Sequence, residues 1–213
     1  PMFAPFDWGY FAFVYDKTKV ATPPTDFRAL AASDLKVVIQ DPRSSTPGLG
    51  LLLWVKAAYG DEAPAIWAAL ADNIVTVTPC WSEAYGLFLE GEADMVLSYT
   101  TSPAYHLIAE NDDTKAAAEF TEGHYLQVEV SGRIAGTDQP ELAERFLAFM
   151  ASDAAQAVLP ETNWMYPAKA LKDGLPKGFD QMIAPKKALF LAPDAAAAAR
   201  DAALAEWQTA LSK

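Results

Sequence analysis

Hydroxyl and glycine residues are concentrated in segment 41–50 (DPRSSTPGLG), which lies between a predicted strand and a predicted helix at 51–59. Free backbone N–H groups at the start of a helix bind anions, and hydroxyl groups add hydrogen-bond donors to such a cradle. Ser45 and Thr46 are the candidate donors here, and Arg43 could add positive charge. The alternative is a capping loop without a ligand, and the segment is not a Walker loop, because no Gly-Lys-Ser/Thr follows.

Two further junctions between a predicted strand and a predicted helix lie at 78–85 and 98–105. In open α/β sheets, ligands bind beside such junctions, outside the carboxyl ends of the strands. Trp81 could present its ring to a ligand there, although it could instead pack on the following helix as a hydrophobic staple. The second junction contributes the polar side chains of Tyr99, Thr100, Thr101 and Ser102, with Tyr105 as a weaker candidate.

An aromatic loop at 163–167 (NWMYP) supplies a second tryptophan, Trp164. Aromatic faces attract flat and cationic groups, and binding pockets combine such apolar walls with a few polar groups. We therefore expect the three junctions and this loop to form one site. Its rings would sandwich a flat or cationic ring, and its hydroxyl and N–H groups would hold an anionic tail.

Signals of catalysis and of metal binding are weak. His106 and His124 lie far from any metal-ligand spacing, and we expect both on the surface or behind the site. Cys80, at the start of a predicted helix, could be a nucleophile with a lowered pKa, but a small half-buried residue is the more ordinary interpretation. We expect no catalytic residues and no metal ligands.

Strands and helices alternate through residue 110, which predicts an α/β layer of βαβ units, and the last third is mainly helical. The 213 residues include 16 Lys and Arg against 28 Asp and Glu, so the formal net charge is −12. This acidity argues against nucleic-acid binding and is compatible with a cationic ligand. Hydrophobic residues make up 52% of the chain, which excludes a disordered protein. No intrachain disulfide can form, because Cys80 is the single cysteine.

Four segments carry a resemblance to a known family: DPRSSTPGLGLLLW, WSEAYGLFLEGEADMVLSYTTSPAY, EGHYLQVEV and NWMYP. They resemble the periplasmic thiamine-binding proteins of bacterial thiamine ABC transporters, and the resemblance runs from about Pro5 to the C-terminus. It implies an α/β, type II periplasmic-binding-protein fold with two lobes and a ligand cleft between them. Residues 10–123 would form one complete lobe, and residues 1–9 and 124–213 the C-terminal part of the other lobe.

Family members exceed 300 residues, so the resemblance implies that roughly the first third is missing here. That third would hold the signal peptide, most of the first lobe, and an acidic and hydroxyl pair facing the ligand. No signal peptide is expected in this chain, which opens without a basic segment, so a periplasmic location follows from the family alone. A second copy or a separate fragment could complete the first lobe.

The resemblance also implies a ligand and the residues that contact it. The expected ligands are thiamine, its monophosphate and its diphosphate, with a membrane permease as the protein partner and no cofactor. Ser45 and Thr46 would hold the hydroxyethyl or phosphate end, whereas Trp81 and Trp164 would contact the rings. Tyr99, Thr100, Thr101 and Ser102 match a contiguous binding segment of the family. The alternatives are a thiaminase-like enzyme using Cys80 and a truncated lobe that binds no ligand.

Overall fold

The computed structural model describes residues 3–212, so the predicted first-lobe segments extend beyond the described residues at Pro1, Met2 and Lys213. The strands are β1 (Phe3–Asp16), β2 (Val37–Gln40), β3 (Ile74–Thr78), β4 (Met95–Tyr99), β5 (Lys115–Ala117), β6 (His124–Gly132), β7 (Tyr166–Pro167) and β8 (Ala188–Leu189). The α-helices are α1 (Phe27–Ala31), α2 (Thr46–Tyr59), α3 (Ala63–Leu70), α4 (Trp81–Glu90), α5 (Ser102–Ala109), α6 (Pro140–Met150), α7 (Asp153–Thr162) and α8 (Pro193–Leu211). This alternation confirms the predicted α/β class.

The strands form one sheet in the order β3-β2-β4-β1-β6-β8, with β5 and β7 also paired to β1. Strand β1 is shared between two groups of partners, since residues 11–16 pair with β4 and β5. Residues 3–10 of the same strand pair with β6 and β7. The lobe boundary that we expect from the resemblance falls beside this change of partners and remains a prediction.

Strand β2 runs parallel to both β3 and β4, so the carboxyl ends of these three strands meet at one edge of the sheet. Helices α2, α4 and α5 follow the three strands in the chain. The three predicted junctions therefore lie side by side.

Helix α2 begins at Thr46, five residues before the predicted start, so the second half of DPRSSTPGLG is helical and not a loop. Pro47 lies in the first turn, where a fixed φ and a missing N–H favour a helix start. Gly48 permits the close approach of α2 to β2, because a Cβ there would lie 2.4 Å from the carbonyl oxygen of Gln40.

An aromatic cluster fills the core beside the sheet. Trp54 stacks on Phe13 with ring centroids 6.2 Å apart, and its Nε1 donates to the carbonyl of Gly123 at 2.8 Å. Phe27 and Phe120 complete the cluster, with their ring centroids 5.0 Å apart. Burying these large rings supplies much of the hydrophobic stabilisation of this part of the chain.

Helix α8 packs against α2 and α3 through the buried side chains of Ala203 and Trp207. An ion pair between Lys56 and Glu206, with N···O at 2.9 Å, joins α8 to α2. The sequence predicts this helix to be part of the first lobe, whereas its described contacts are with elements of the predicted second lobe; the lobe assignment stays a prediction. Although α8 has 19 residues, neither it nor any other helix within residues 3–212 combines the length and apolarity needed to cross a membrane.

Candidate functional site

A cavity of about 550 Å³ lies where the three strand-to-helix junctions meet the loop before β7. That volume is in the range of small-molecule pockets. Its walls are formed by Thr46, Pro47, Trp81, Tyr85, Leu89, Tyr99, Ser102, Tyr105, Glu129, Asn163, Trp164 and Met165. Tyr99 comes from β4 and Glu129 from β6, so the walls include residues from both groups of strands that share β1.

The structure brings five of the eight predicted site residues to this cavity, namely Thr46, Trp81, Tyr99, Ser102 and Trp164, together with the weaker candidate Tyr105. Ser45 is the N-cap of α2, next to Thr46, and is not a wall residue. Thr100 and Thr101 are fully buried outside the wall. Thr101 donates its hydroxyl to the sulfur of Met165 at 3.7 Å, and Thr100 lines a smaller, separate cavity. A direct ligand contact for these three residues stays a prediction.

Trp81 is held in place by hydrogen bonding and stacking. Its Nε1 donates to Ser98 Oγ at 2.8 Å, and Ser98 Oγ lies 2.7 Å from Ser102 Oγ. The indole stacks on Tyr85, with centroids 4.9 Å apart and an interplanar angle of 30°. Because 39% of Trp81 remains exposed, the fixed ring still has surface to offer a ligand.

Tyr85 is itself held from behind by a buried histidine. Its hydroxyl lies 2.9 Å from His106 Nε2, and His106 Nδ1 lies 2.6 Å from a carboxylate oxygen of Glu110. A carboxylate only accepts, so Nδ1 carries the hydrogen and Nε2 accepts from Tyr85. Burial raises the pKa of Tyr85, which keeps this donor protonated. His106 is thus buried behind the site, which is one of the two positions that the sequence predicts for it.

His124 is fully buried too, so the prediction that it could lie on the surface is wrong. Its Nε2 accepts from the backbone N–H of Phe120 at 2.9 Å, so Nδ1 donates to the carbonyl of Phe11 at 2.7 Å. Burial lowers the pKa of His124. This histidine ties β6 to β1 and does not reach the cavity.

The only cluster of possible metal ligands found within residues 3–212 consists of His106, Glu110 and Asp112, whose ligand atoms lie within 4.8 Å of one another. Its donors are already engaged, since His106 bonds to Glu110 and the Asp112 carboxylate pairs with Lys115 Nζ at 3.1 Å. We assign no metal to it.

Trp164 contributes a second tryptophan ring to the wall. It meets Tyr105 edge to face, with centroids 5.4 Å apart and an interplanar angle of 76°. Its φ of 58° lies in the left-handed region, which is unfavourable for a bulky side chain. Such a conformation persists only where neighbouring contacts hold it, and such positions are often functional.

Glu129 is the one wall residue that carries a formal charge near neutral pH, and sequence reasoning missed it. A hydrogen-bonded chain leads to it: Tyr99 OH donates to Gln127 Oε1 at 2.9 Å, and Gln127 Nε2 donates to Glu129 Oε1 at 2.9 Å. Burial raises the pKa of Glu129. The alternation in YLQVEV, which puts Gln127 and Glu129 on one face of a strand, could have identified this residue.

Asp7 lies directly across from Glu129 in the pairing of β1 with β6 and is fully buried. Burial raises its pKa to about 6, although the side-chain amide of Asn163, which donates to Oδ2 at 2.7 Å, opposes that rise. Its other oxygen, Oδ1, has no hydrogen-bond partner among the described residues. A second acidic residue, which is not itself part of the wall, therefore lies beside Glu129 in the sheet.

Arg43 does not supply the positive charge that the sequence suggested for the cavity. Its guanidinium forms a two-pronged pair with Asp41, with Nε to Oδ1 at 2.9 Å and Nη2 to Oδ2 at 2.6 Å. This pairing holds the pKa of the Asp41 carboxyl below its ordinary value. Anion binding at this junction is left to Thr46 and the first N–H groups of α2.

Cys80 is exposed at the N-cap of α4 and is not a wall residue. Its sulfur lies 3.4 Å from Ser82 Oγ, and this hydrogen bond is the main cause of a lowered thiol pKa. Because Cys80 is not part of the cavity wall, its thiol is not placed to attack a ligand bound in the cavity.

Residues 8–162 match the family described as bacterial extracellular solute-binding protein. The thiamine-binding periplasmic proteins of Salmonella typhimurium and Escherichia coli are 57% and 56% identical to this chain over 213 residues, which is 99% of the chain. The chain spans 64% of the length of these two relatives.

Solved structures share the fold. A periplasmic thiamin binding protein superimposes with a TM-score of 0.96 and 55% identity, over 100% of this chain and 67% of that one. The apo ferric ion-binding protein A of Pasteurella haemolytica superimposes with a TM-score of 0.80 and 15% identity, over 98% of this chain and 69% of that one, which shows the fold alone. These superpositions confirm the predicted type II periplasmic-binding-protein fold.

Proposed function

Because the chain belongs to the family of bacterial extracellular solute-binding proteins, we propose that it binds thiamine or a thiamine phosphate ester in the cavity lined by Trp81 and Trp164. The observation that carries this proposal is the composition of the wall, which combines five aromatic rings with one carboxylate. Thiamine joins an aminopyrimidine to a positively charged thiazolium ring, and aromatic faces attract such groups. The naming of the 57% identical relative as thiamine-binding supports the same ligand.

The two ends of the ligand would meet different walls. The rings would lie against Trp81, Tyr99 and Trp164, whose faces provide stacking and cation–π attraction. The hydroxyethyl group or its phosphate would lie at the start of α2, where Thr46 and the helix N–H groups favour an anion. Ser45 is adjacent to that end, whereas the burial of Thr100 and Thr101 gives them at most an indirect role.

The biological setting follows from the family and remains part of the proposal. The chain would act in the periplasm, release its ligand to the permease of an ABC transporter, and use no cofactor. Closure of the walls would involve the two groups of strands that share β1. The family and the relatives are solute-binding proteins and not enzymes, so the Cys80 alternative has no support.

A further part of the proposal concerns a second copy of the chain or a separate fragment. It is supported by helix α6, in which no residue is buried and three large apolar side chains share one stripe. Such a stripe favours contact with another polypeptide.

Isothermal titration calorimetry of this chain with thiamine and thiamine monophosphate tests the proposal. We expect saturable binding with a dissociation constant in the micromolar range or below, and no heat from spermidine, a cation without a ring. If circular dichroism shows a folded chain and neither thiamine compound gives heat, the proposal is wrong for this chain.

A further inference from the structure

Glu129 occupies an unusual electrostatic position in the cavity wall. No lysine, arginine or histidine is among the wall residues, and the ion pairs found within residues 3–212 do not involve Glu129. Burial raises the pKa of Tyr85 and Tyr99, so their hydroxyl groups stay neutral. A half-buried carboxylate without a cation nearby lacks a compensating charge that a ligand could supply.

The carboxylate is also fixed in position. Gln127 is buried, accepts from Tyr99 and donates to Glu129, each at 2.9 Å. Tyr99 is fixed in turn by stacking on the buried ring of Phe11, with centroids 5.2 Å apart. A prearranged charge binds its counterpart with little loss of side-chain entropy, and it acts more strongly in a partly desolvated cavity than in water.

We propose that Glu129 is the residue by which this cavity selects a positively charged heteroaromatic ring over a neutral ring of the same shape. The aromatic walls accept both kinds of ring, because stacking and apolar burial depend mainly on shape. The carboxylate adds attraction only for the cation, and a neutral ring leaves it uncompensated. Gln127 acts as a positioning residue that keeps the carboxylate at the wall. The inference rests on the proposed function, since thiamine is the cationic ligand considered.

The test compares thiamine with 3-deazathiamine, in which a carbon atom replaces the charged ring nitrogen. Calorimetry with the unaltered chain should show at least tenfold tighter binding of thiamine. In Glu129→Gln, which keeps size and hydrogen bonding but removes the charge, thiamine should bind about tenfold more weakly. The neutral analogue should change by less than twofold, so that the preference largely disappears. The matched control is Glu141→Gln, an exposed glutamate of α6 outside the cavity, and it should retain the preference.

The outcomes separate this inference from the proposed function. If the unaltered chain binds neither compound, both are wrong. If it binds the two compounds equally well, the proposed function stands and the role of Glu129 is refuted without any variant, even if Glu129→Gln does not fold. If the unaltered chain prefers thiamine and folded Glu129→Gln keeps that preference, a group other than Glu129 distinguishes the charged ring from the neutral ring, and the inference is wrong.

Discussion

Trp81, which we propose as a ligand contact, is already fixed in position by other residues of the chain. Its Nε1 bond to Ser98 and its stacking on Tyr85 fix the ring, while part of its surface stays open. We expect Trp81→Ala to weaken thiamine binding about tenfold or more, because a ring contact with cation–π character contributes about 0.5–2 kcal/mol and its fixed geometry is lost as well. Calorimetry or tryptophan fluorescence titration measures the change.

Two matched variants test whether the lower affinity of Trp81→Ala comes from the lost ring contact. Trp81→Phe keeps a ring but removes the bond to Ser98, so its affinity should lie between those of the unaltered chain and Trp81→Ala. Cys80→Ser alters the adjacent exposed residue outside the cavity and should leave affinity unchanged. An unchanged dissociation constant for Trp81→Ala would contradict the assignment of the site.

Asp7 predicts a pH dependence of folding stability. Burial raises its pKa from an ordinary 3.8 to about 6, so the folded chain holds this proton over a range in which the unfolded chain has released it. The protonated Asp7 therefore stabilises the folded chain fully below pH 4, and this stabilisation is lost as the pH rises through about 6. That loss corresponds to on the order of 3 kcal/mol.

Urea denaturation between pH 4 and pH 7 measures this effect, because the folded and unfolded chains differ in the protonation of Asp7 within that range. The free energy of unfolding should fall with rising pH in the unaltered chain, and Asp7→Asn should reduce the fall. Glu122 and Glu129, whose pKa values are also raised by burial, leave a residual slope of the same sign. The exposed Asp173→Asn should keep the full slope. Parallel curves for Asp7→Asn and the unaltered chain would show that Asp7 is not the responsible group.

At the scale of single elements, the start of α2 depends on a close contact with β2. A Cβ at Gly48 would lie 2.4 Å from the carbonyl oxygen of Gln40, a backbone atom that cannot turn aside. We expect Gly48→Ala to destabilise the fold by about 1–3 kcal/mol through overpacking. Gly86, inside α4, has open space around its Cβ position, so Gly86→Ala should stabilise by about 0.5–1 kcal/mol. Urea denaturation of both variants tests the contrast, and equal effects would contradict it.

The sequence was informative about elements wherever the signal was local. The three junctions were predictable because parallel strands expose their carboxyl ends at one edge, and Trp81 and Trp164 followed from residue type. The early start of α2 was missed because SSTPG is typical of a loop, yet proline in the first turn also begins a helix. Thr100 and Thr101 are polar like Tyr99 and Ser102, which reach the cavity wall, and only tertiary packing shows that both threonines are fully buried away from it.

Glu129 marks the point at which local reasoning stops. Its place in the wall depends on the antiparallel register that sets it opposite Asp7, more than 100 positions away in the chain. Its fixed orientation depends on Gln127 and Tyr99, which lie on different strands. Neither the strand register nor these hydrogen bonds can be predicted from a short stretch of sequence. The Glu129 carboxylate, to which we assign the selectivity, was therefore missed, whereas the aromatic rings were found.

At the scale of the whole molecule, the cavity is a property of both strand groups joined by β1. Trp81, Tyr99 and Tyr105 come from the part before residue 123, whereas Glu129 and Trp164 come from the part after it. A ligand that contacts both sets links the two parts energetically. Strand β1 is paired to β4 on one half and to β6 on the other, so it belongs to the sheet of both parts.

The surface of α6 predicts self-association of the chain. Leu142, Phe146 and Phe149 recur at helical spacing and are each more than half exposed, and none of the residues in α6 is buried. An apolar stripe of this kind favours burial against another chain. Sedimentation velocity should therefore show an average mass that rises with protein concentration.

The triple variant Leu142→Gln, Phe146→Gln and Phe149→Gln, which keeps good helix formers, should remain a monomer. The control alters the exposed edge-strand residues Val75 and Val77 to threonine and should associate as before. A monomer at every concentration in the unaltered chain would show that this stripe does not drive association, and the proposed second copy would then lose its support.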